Sequence, residues 1–179
     1  MKYTFSIEND GKIVLESRAG ESDRHIALKL LAYLLFRDEA DGLPLRIEQG
    51  VGQRHKPDLV ATDPDTGAVR LWIDCGDIGV KRLGRIAGSN KGARIIVVKA
   101  TAGEALAYAR AAGRFLPPPA ERAAPVVYAG FDEDFLPSFL RALRGRNDVS
   151  LFRQDVAARV EINGETLRTA LFLRAAEDV

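Results

Sequence analysis

The sequence predicts a mixed α/β (α+β) fold in a single domain. Between residues 57 and 144, segments with strand character alternate with segments of helical periodicity, which predicts a mixed sheet flanked by helices. The residues outside this core, which runs from about 20 to 145, show the alternating pattern of β-hairpins. We expect the N- and C-terminal hairpins to pair into an additional small sheet. No internal repeat or linker divides the 179 residues into two domains.

The composition argues against several classes of protein. Lys and Arg number 26 against 25 Asp and Glu, so no overall charge points to a nucleic-acid partner. One cysteine excludes an intramolecular disulfide and disfavours a cysteine-based zinc site. The longest apolar run, residues 30–36, is far shorter than the roughly 20 residues of a membrane span. The N-terminus lacks the apolar region of a signal peptide, so we expect a cytoplasmic protein without a membrane partner.

A hairpin and a helix are predicted before the core strands. Alternating apolar residues at 3–7 and 13–15 flank a polar reversal at 8–11. The helix runs from about 20 to 36 and carries a broad apolar arc. Glu21 falls inside this arc. One interpretation is that Glu21, as a carboxylate in the first turn, stabilises the helix by interacting with its dipole. The alternative is that it points inward, toward the strand edge that holds the aspartates. The sequence leaves both alternatives open.

The strongest chemical feature is a pair of aspartates in the central hairpin. Two strand-like runs, 58–61 and 69–75, are joined by the turn Asp-Pro-Asp-Thr-Gly at 63–67, so they should be antiparallel neighbours. Asp58 then starts the first strand and Asp74 ends the second, which places both carboxylates at one edge. Such a pair can share a hard divalent cation, with waters completing the shell. Alternatively, both aspartates only bond backbone amides at strand ends.

A basic stretch follows the second aspartate. Between Ile78 and Gly103 there are six basic residues and no acidic one. Such a run is typical of a solvated face, but its position beside the aspartates also favours a surface that contacts phosphates. The candidates for nucleic-acid contact are Arg82, Arg85 and Lys91. A short helix is predicted at 80–89, where two poor helix formers, Gly84 and Gly88, indicate close packing.

The remaining elements complete the alternation of the core. The sequence predicts a buried strand at 93–98, a helix at 103–115, a strand at 125–129, a helix at 132–144 and terminal strands at 149–152, 156–162 and 166–173. Asn-Gly at 163–164 is a strong hairpin turn.

The order of the candidate residues resembles that of a known superfamily. Glu21 on a helix, Asp58 after a proline, Asp74 at a strand end and Lys81 just beyond follow the order of the PD-(D/E)XK nucleases. The resemblance implies a restriction-endonuclease-like mixed sheet. More specifically, Leu-Trp-Ile-Asp-Cys-Gly at 71–76, the Lys-Arg-Leu that begins at Lys81, and the first helix are similar to the YaeQ family, over roughly residues 21–98.

The resemblance implies a role for each of these residues. Asp58 and Asp74 would hold Mg²⁺ or Mn²⁺, with Glu21 as a third or outer carboxylate. A lysine would orient the attacking water, yet the residue two positions after Asp74 is Gly76. Because alternate strand residues face the same way, Gly76 is predicted to leave space beside the metal, which Lys81 would fill as a migrated catalytic lysine.

Two other residues beside Asp74 have structural interpretations. Cys75 is predicted to point away from Asp74 as a small buried apolar residue. Trp72 is predicted to be half-buried core beside the site, although stacking on a base is an alternative.

Two functions follow, of which the first is the leading hypothesis and the second the alternative. The first is a metal-dependent phosphodiesterase that acts on DNA or RNA. The second is a catalytically inactive nuclease-fold module that binds nucleic acid or a protein partner, since a fold does not decide a function.

Overall fold

A computed structural model describes residues 1–8, 10–17, 20–122 and 124–179 of the chain. Its helices are α1 (Asp23–Phe36), α2 (Val80–Ser89), α3 (Ala102–Ala112) and α4 (Phe135–Ala142). Its strands are β1 (Lys2–Ile7), β2 (Gly11–Glu16), β3 (Arg46–Ile47), β4 (Leu59–Thr62), β5 (Val69–Cys75), β6 (Arg94–Val98), β7 (Val126–Gly130), β8 (Arg146–Gln154), β9 (Ala157–Ile162), β10 (Glu165–Ala170) and β11 (Phe172–Ala175).

The strands form two mixed sheets. The first has the order β10-β9-β8-β1-β2, and the second has the order β11-β7-β6-β5-β4-β3. In the first sheet β1 pairs with β8 in parallel, which joins the N-terminal and C-terminal hairpins. This pairing confirms the additional sheet expected from the sequence. Part of the turn between β1 and β2, Asn9, lies outside the described residues.

The sheets and helices stack in four layers. Helices α1 and α4 lie between the two sheets and share one apolar core with the facing sides of both. Helices α2 and α3 cover the opposite side of the second sheet with a separate core. Because the second sheet is covered on both faces, β6 and β7 are near-continuous apolar runs. In the part of the chain that the structure describes, no helix is long and apolar enough to cross a membrane.

The last predicted strand, 166–173, is wrong as a single element. The chain leaves the first sheet after β10, buries Leu171, and enters the second sheet as β11, which pairs with β7. Asp132 holds this crossing, because its carboxylate accepts a hydrogen bond from the Ala170 backbone at 2.7 Å and its own N–H donates to the Thr169 hydroxyl at 3.0 Å. The same contacts explain why α4 begins later than the predicted residue 132.

Helix α2 packs against the chain that follows α3. Its apolar residues Leu83 and Ile86 are buried, as the sequence predicts. A Cβ atom at Gly84 would lie 2.2 Å from the backbone oxygen of Phe115, which confirms the predicted close approach at this glycine. No atom lies within 4 Å of the corresponding position at Gly88, so close packing does not explain the second glycine.

Substituting the two glycines of α2 should therefore give opposite results. We expect Gly84→Ala to destabilise the protein by about 1–3 kcal/mol, because backbone atoms must shift to make room for the methyl group. Gly88→Ala is the matched control and should be neutral or stabilise by up to about 1 kcal/mol through helix propensity. Urea unfolding of the two variants measures both effects, and equal stability of Gly84→Ala and wild type would contradict the packing.

Candidate active site

The central hairpin places the two aspartates at one edge of the second sheet. Strands β4 and β5 are antiparallel, with Leu59 opposite Ile73. The Asp58 N–H donates to the Ile73 carbonyl at 3.1 Å and extends this pairing by one residue. Asp58 therefore enters β4 where Asp74 leaves β5, which confirms the predicted geometry of the hairpin.

Glu21 lies just before α1 and points inward. The helix begins with Ser22 as its N-cap, so Glu21 precedes the first turn in which the sequence placed it. Its Oε1 atom lies 3.3 Å from His25 Nε2 and 2.5 Å from Lys29 Nζ. Positions 21, 25 and 29 are spaced four apart, so these side chains share one side of the segment. The inward alternative for Glu21 is the one the structure shows.

Lys29 is a buried ammonium group held by two carboxylates. Its side chain is 1% exposed and contacts Glu21 and Glu48. Burial lowers the pKa of Lys29, but hydrogen bonds and the charges of Glu21 and Glu48 outweigh it, so the net pKa is raised. Lys29 therefore remains charged in the interior. Removal of either carboxylate would leave a poorly compensated buried cation.

The two carboxylate oxygens of Asp58 contact different partners. Its Oδ2 atom accepts a hydrogen bond from the Cys75 backbone N–H at 2.8 Å. Its Oδ1 atom lies 3.2 Å from His25 Nε2. This hydrogen bond raises the pKa of His25, although burial of the ring opposes it. His25 is therefore a hydrogen-bond partner of Asp58, in a site where the sequence did not place it.

Asp74 is a buried carboxylate on the opposite face of β5 from α1. It is 4% exposed, and its Oδ2 atom accepts a hydrogen bond from the Trp72 indole N–H at 2.8 Å. Arg82 Nη2 lies 3.6 Å from Oδ1. Burial raises the pKa of Asp74 to about 6, the charge of Asp58 adds to this, and Trp72 and Arg82 oppose it. Negative charge on Asp74 is thus incompletely compensated.

Trp72 and Cys75 are both structural. Trp72 is 0% exposed, so it is fully buried rather than half-buried, and stacking on a base is excluded in this structure. Cys75 is buried in the core shared with α1, as the sequence predicts, and burial raises the pKa of its thiol well above the usual value.

Gly76 does not face the same way as Asp74, and that expectation is wrong. Strand β5 ends at Cys75, and Gly76 has a φ of +68°. A Cβ atom at Gly76 would lie 3.4 Å from His25 Nδ1 and 3.9 Å from Leu28 Cδ1, both on α1. The alternation of side chains holds only while the backbone stays extended. The space left by the missing side chain therefore lies on the α1 side.

Arg82 is the cation of α2 that reaches Asp74. Its guanidinium also donates to the Lys56 carbonyl at 3.1 Å. The neighbouring Lys81 is exposed in the first turn of α2. Its role as a catalytic lysine stays a prediction.

Three arginines lie near His55, and one of them, Arg82, also reaches Asp74. The pKa of His55 is lowered by burial and by the positive charges of Arg82, Arg54 and Arg85, so these groups lie near one another. We call Arg54, His55, Arg82 and Arg85 the basic cluster. Lys91 lies outside it and pairs with Glu121 at 3.7 Å on the surface.

A cleft of about 420 Å³ is lined by His25, the partner of Asp58. It lies between α1, α3 and the loop that follows β5, and His25 and Gly76 form the wall next to Asp58. Lys99, at the end of β6, also lines the cleft. In the sequence, Lys99 is one of the six basic residues between Ile78 and Gly103, and nothing in their pattern distinguishes it from the others. Its position at the carboxyl end of a strand parallel to β5 was the signal that could have singled it out.

Within the described ranges, no group of three or more His, Cys, Asp or Glu side chains could hold a metal ion. Glu21, predicted as a third metal ligand, instead contacts Lys29 and His25. Its role at a metal stays a prediction. Asp58 and Asp74 remain the pair at the edge, and Mg²⁺ is often bound by only one or two carboxylates plus waters.

Comparisons with known proteins place the chain in a family. The family model described as YaeQ protein matches residues 7–169. The chain belongs to the YaeQ family. Its fold is similar to the crystal structure of the YaeQ protein from Xanthomonas axonopodis pv. citri, with a TM-score of 0.68 and 21% identity over 97% of this chain and 96% of that one. The YaeQ protein from Pseudomonas syringae gives a TM-score of 0.69 and 15% identity over 96% and 93%. No curated protein matches the sequence.

Neutralising Asp74 should change how the stability of this YaeQ family member depends on pH. Because the pKa of Asp74 is higher in the folded state, at about 6, than in the unfolded chain, the wild type loses stability as pH rises from about 4 through about 6. We expect Asp74→Asn, which still offers Trp72 an acceptor, to be about 1–3 kcal/mol more stable than wild type at pH 8 and equal to it near pH 4.

Urea unfolding at pH 4, 6 and 8 measures this difference. Asp65→Asn, in the exposed turn between β4 and β5, is the control and should track the wild type at every pH. If Asp74→Asn is less stable than wild type at pH 8, the Asp74 carboxylate increases the free energy of unfolding, which would contradict the prediction.

Proposed function

We propose that this protein is a Mg²⁺- or Mn²⁺-dependent phosphodiesterase of the PD-(D/E)XK type that acts on DNA or RNA. The observation that carries the proposal is the edge of the second sheet, where Asp58 and Asp74 meet beside the basic cluster. Carboxylates suit a hard divalent cation, and arginines suit the phosphates of a nucleic acid.

The two aspartates fit such a cation by their hydrogen bonding. Each carboxylate is anchored through Oδ2, by the Cys75 N–H in one case and the Trp72 indole in the other. Among the described residues, each Oδ1 contacts one side chain that can carry positive charge, at 3.2 Å for His25 and 3.6 Å for Arg82, and both distances are longer than the usual 2.7–2.9 Å of a charge-assisted bond. The Oδ1 atoms are therefore the ones available to a cation. A bound Mg²⁺ would stabilise charge on the reacting phosphate and acidify a water.

The protein's own side chains would act on the substrate from two sides. Arg82 approaches Asp74 from α2 and belongs to the basic cluster, so it would exchange a contact with Asp74 for one with phosphate. His25 approaches Asp58 from α1 and lines the cleft. It would gain or lose a proton as the net charge of the site changes.

A second candidate function is supported by the same contacts. His25 and Arg82 already balance part of the charge of Asp58 and Asp74 without a metal ion. A site compensated in this way suits a catalytically inactive module that binds nucleic acid or a protein partner through the basic cluster. Metal affinity separates the two functions.

Metal binding should depend on both aspartates. In calorimetric titrations with Mg²⁺ and Mn²⁺, we expect the wild type to bind one of the two ions and Asp58→Asn and Asp74→Asn to bind neither, because a hard cation needs the ionised oxygens. At 100 times its Kd the ion should stabilise the wild type by about 2.7 kcal/mol and leave both variants unchanged. Asp65→Asn is the control and should bind like wild type. Absence of metal binding by the wild type would favour the inactive module.

The basic cluster should determine how nucleic-acid affinity depends on salt. We expect Arg85→Gln to flatten the slope of log K against log salt by about 0.7 for single-stranded and about 0.9 for double-stranded DNA, because one phosphate contact is lost. Lys91→Gln should flatten it less, since Lys91 already pairs with Glu121. Fluorescence anisotropy of labelled oligonucleotides at several salt concentrations measures both slopes. Identical slopes for wild type and Arg85→Gln would show that Arg85 is a solvated surface residue that makes no phosphate contact.

A further inference from the structure

Lys99 is a buried cation without an ion pair to a carboxylate in the described part of the chain. It is 6% exposed, and its ammonium group donates to the Gly76 carbonyl at 2.5 Å. The ring of Tyr108 lies beneath it, with the nitrogen 4.1 Å from the ring centroid. Among the described residues no Asp or Glu forms an ion pair with Lys99, in contrast to Lys29, which contacts two. An ammonium group has three donors, and the Gly76 carbonyl accounts for one.

This arrangement is unfavourable unless something else compensates the charge. Burial lowers the pKa of Lys99, and the more distant charges of Asp77 and Glu104 only partly offset this. Glu104 itself pairs with Arg24 at 2.5 Å across the mouth of the cleft. A buried cation without a matching anion costs free energy, and such groups concentrate at sites that bind an anion from outside.

The cleft connects Lys99 to the aspartates through two residues. The Gly76 carbonyl accepts the hydrogen bond of Lys99. A Cβ atom placed on Gly76 would point toward His25 and lie 3.4 Å from its Nδ1 atom. The other nitrogen of His25 lies 3.2 Å from Asp58. A methyl group at Gly76 would make ordinary van der Waals contact with His25, and the φ of +68° is what favours glycine there. An anion in the cleft would therefore contact Lys99 at one end and lie next to His25 and Asp58 at the other.

We propose that the cleft binds the phosphate of the nucleic-acid substrate and that Lys99 is the ammonium group in contact with it. The proposal rests on the proposed phosphodiesterase function. In the hydrolysis a water oxygen forms a bond to phosphorus, the bond from phosphorus to one sugar oxygen breaks, and a water proton ends on that sugar oxygen. The products are a phosphate monoester and an alcohol. Lys99 keeps its protons and stabilises the negative charge that develops on the phosphate oxygens.

The test compares four lysine variants in a cleavage assay. We expect Lys99→Met to lower kcat by about 10²–10³-fold, as removal of one stabilising donor does, while the calorimetric affinity for Mg²⁺ or Mn²⁺ stays within about threefold of wild type. Lys99→Arg, which keeps a cation, should recover part of kcat. Lys12→Met, on the exposed face of β2, is the control and should match wild type.

The exposed Lys81 supplies the competing outcome. If Lys81→Met abolishes cleavage and Lys99→Met leaves it within about threefold of wild type, the proposal for Lys99 is overturned, the catalytic lysine is Lys81, and the phosphodiesterase function stands.

A binding measurement separates Lys99 from the enzymatic function. Thymidine 5′-monophosphate, titrated without metal, should bind the wild type and bind Lys99→Met at least tenfold more weakly. In the wild type it should also shift the NMR signal of the Lys99 ammonium group, identified by its absence in Lys99→Arg, and this measurement does not require Lys99→Met to fold. If the wild type does not cleave DNA or RNA, the phosphodiesterase function is wrong, and the affinity for thymidine 5′-monophosphate alone then tests the phosphate contact of Lys99. Equal affinity in wild type and Lys99→Met, or an unmoved signal, would overturn the proposal.

Discussion

The structure depends on how charges are balanced at one end of the second sheet. Asp58 and Asp74 lie there with Glu21 and Glu48 nearby, and the facing cations are His25, Lys29 and Arg82. A buried charge is tolerated only when another charge or several hydrogen bonds compensate it. The compensation is nearly complete around Lys29 and incomplete at Asp74, whose pKa is raised to about 6. The incomplete part of the balance is where a cation would be accommodated.

The layered fold produces this arrangement by placing one helix between two sheets. Helix α1 is buried over most of its surface because the first sheet and the second sheet both pack against it. Its N-terminal end emerges at the edge where β4 begins, and there His25 contacts Asp58 while Glu21 contacts both His25 and Lys29. Packing of the apolar part of α1 thus positions its polar end, and a shift of the helix would separate Glu21 and His25 from the strand edge.

On the side of the second sheet that faces α2, and within the described residues, Asp74 has fewer charged contacts than Lys29 has on the α1 side. Trp72, from the same strand, donates a hydrogen bond to Asp74, and α2 contributes the longer charged contact of Arg82. Helix α2 can approach the sheet and the chain after α3 closely because Gly84 has no side chain. The two carboxylates at this edge therefore have unequal surroundings. Asp58 is bonded by Cys75 and His25, whereas Asp74 is buried with one hydrogen bond from Trp72 and a longer contact with Arg82.

Much of the framework could be predicted from the sequence, because it depends on neighbouring residues. The turn at 63–67 and the flanking strand patterns decide that β4 and β5 are antiparallel, and antiparallel pairing alone brings Asp58 and Asp74 to one edge. The same local logic placed α1, α2 and the terminal hairpins. It failed where an element crosses between sheets, as at Leu171, since no local pattern marks that change.

The partners of the aspartates were decided by the tertiary structure alone. His25 is 33 residues from Asp58, and Lys99 is 23 residues from Gly76, so their contacts arise only when α1 and β6 pack beside β5. The direction in which Gly76 faces was also decided there, because its positive φ ends the alternation of the strand. Hydrogen bonds and ion pairs act over a few ångströms, and sequence periodicity carries no information about which distant segments come that close. The sequence thus determined which carboxylates share an edge, and the packing of the layers determined which cations meet them.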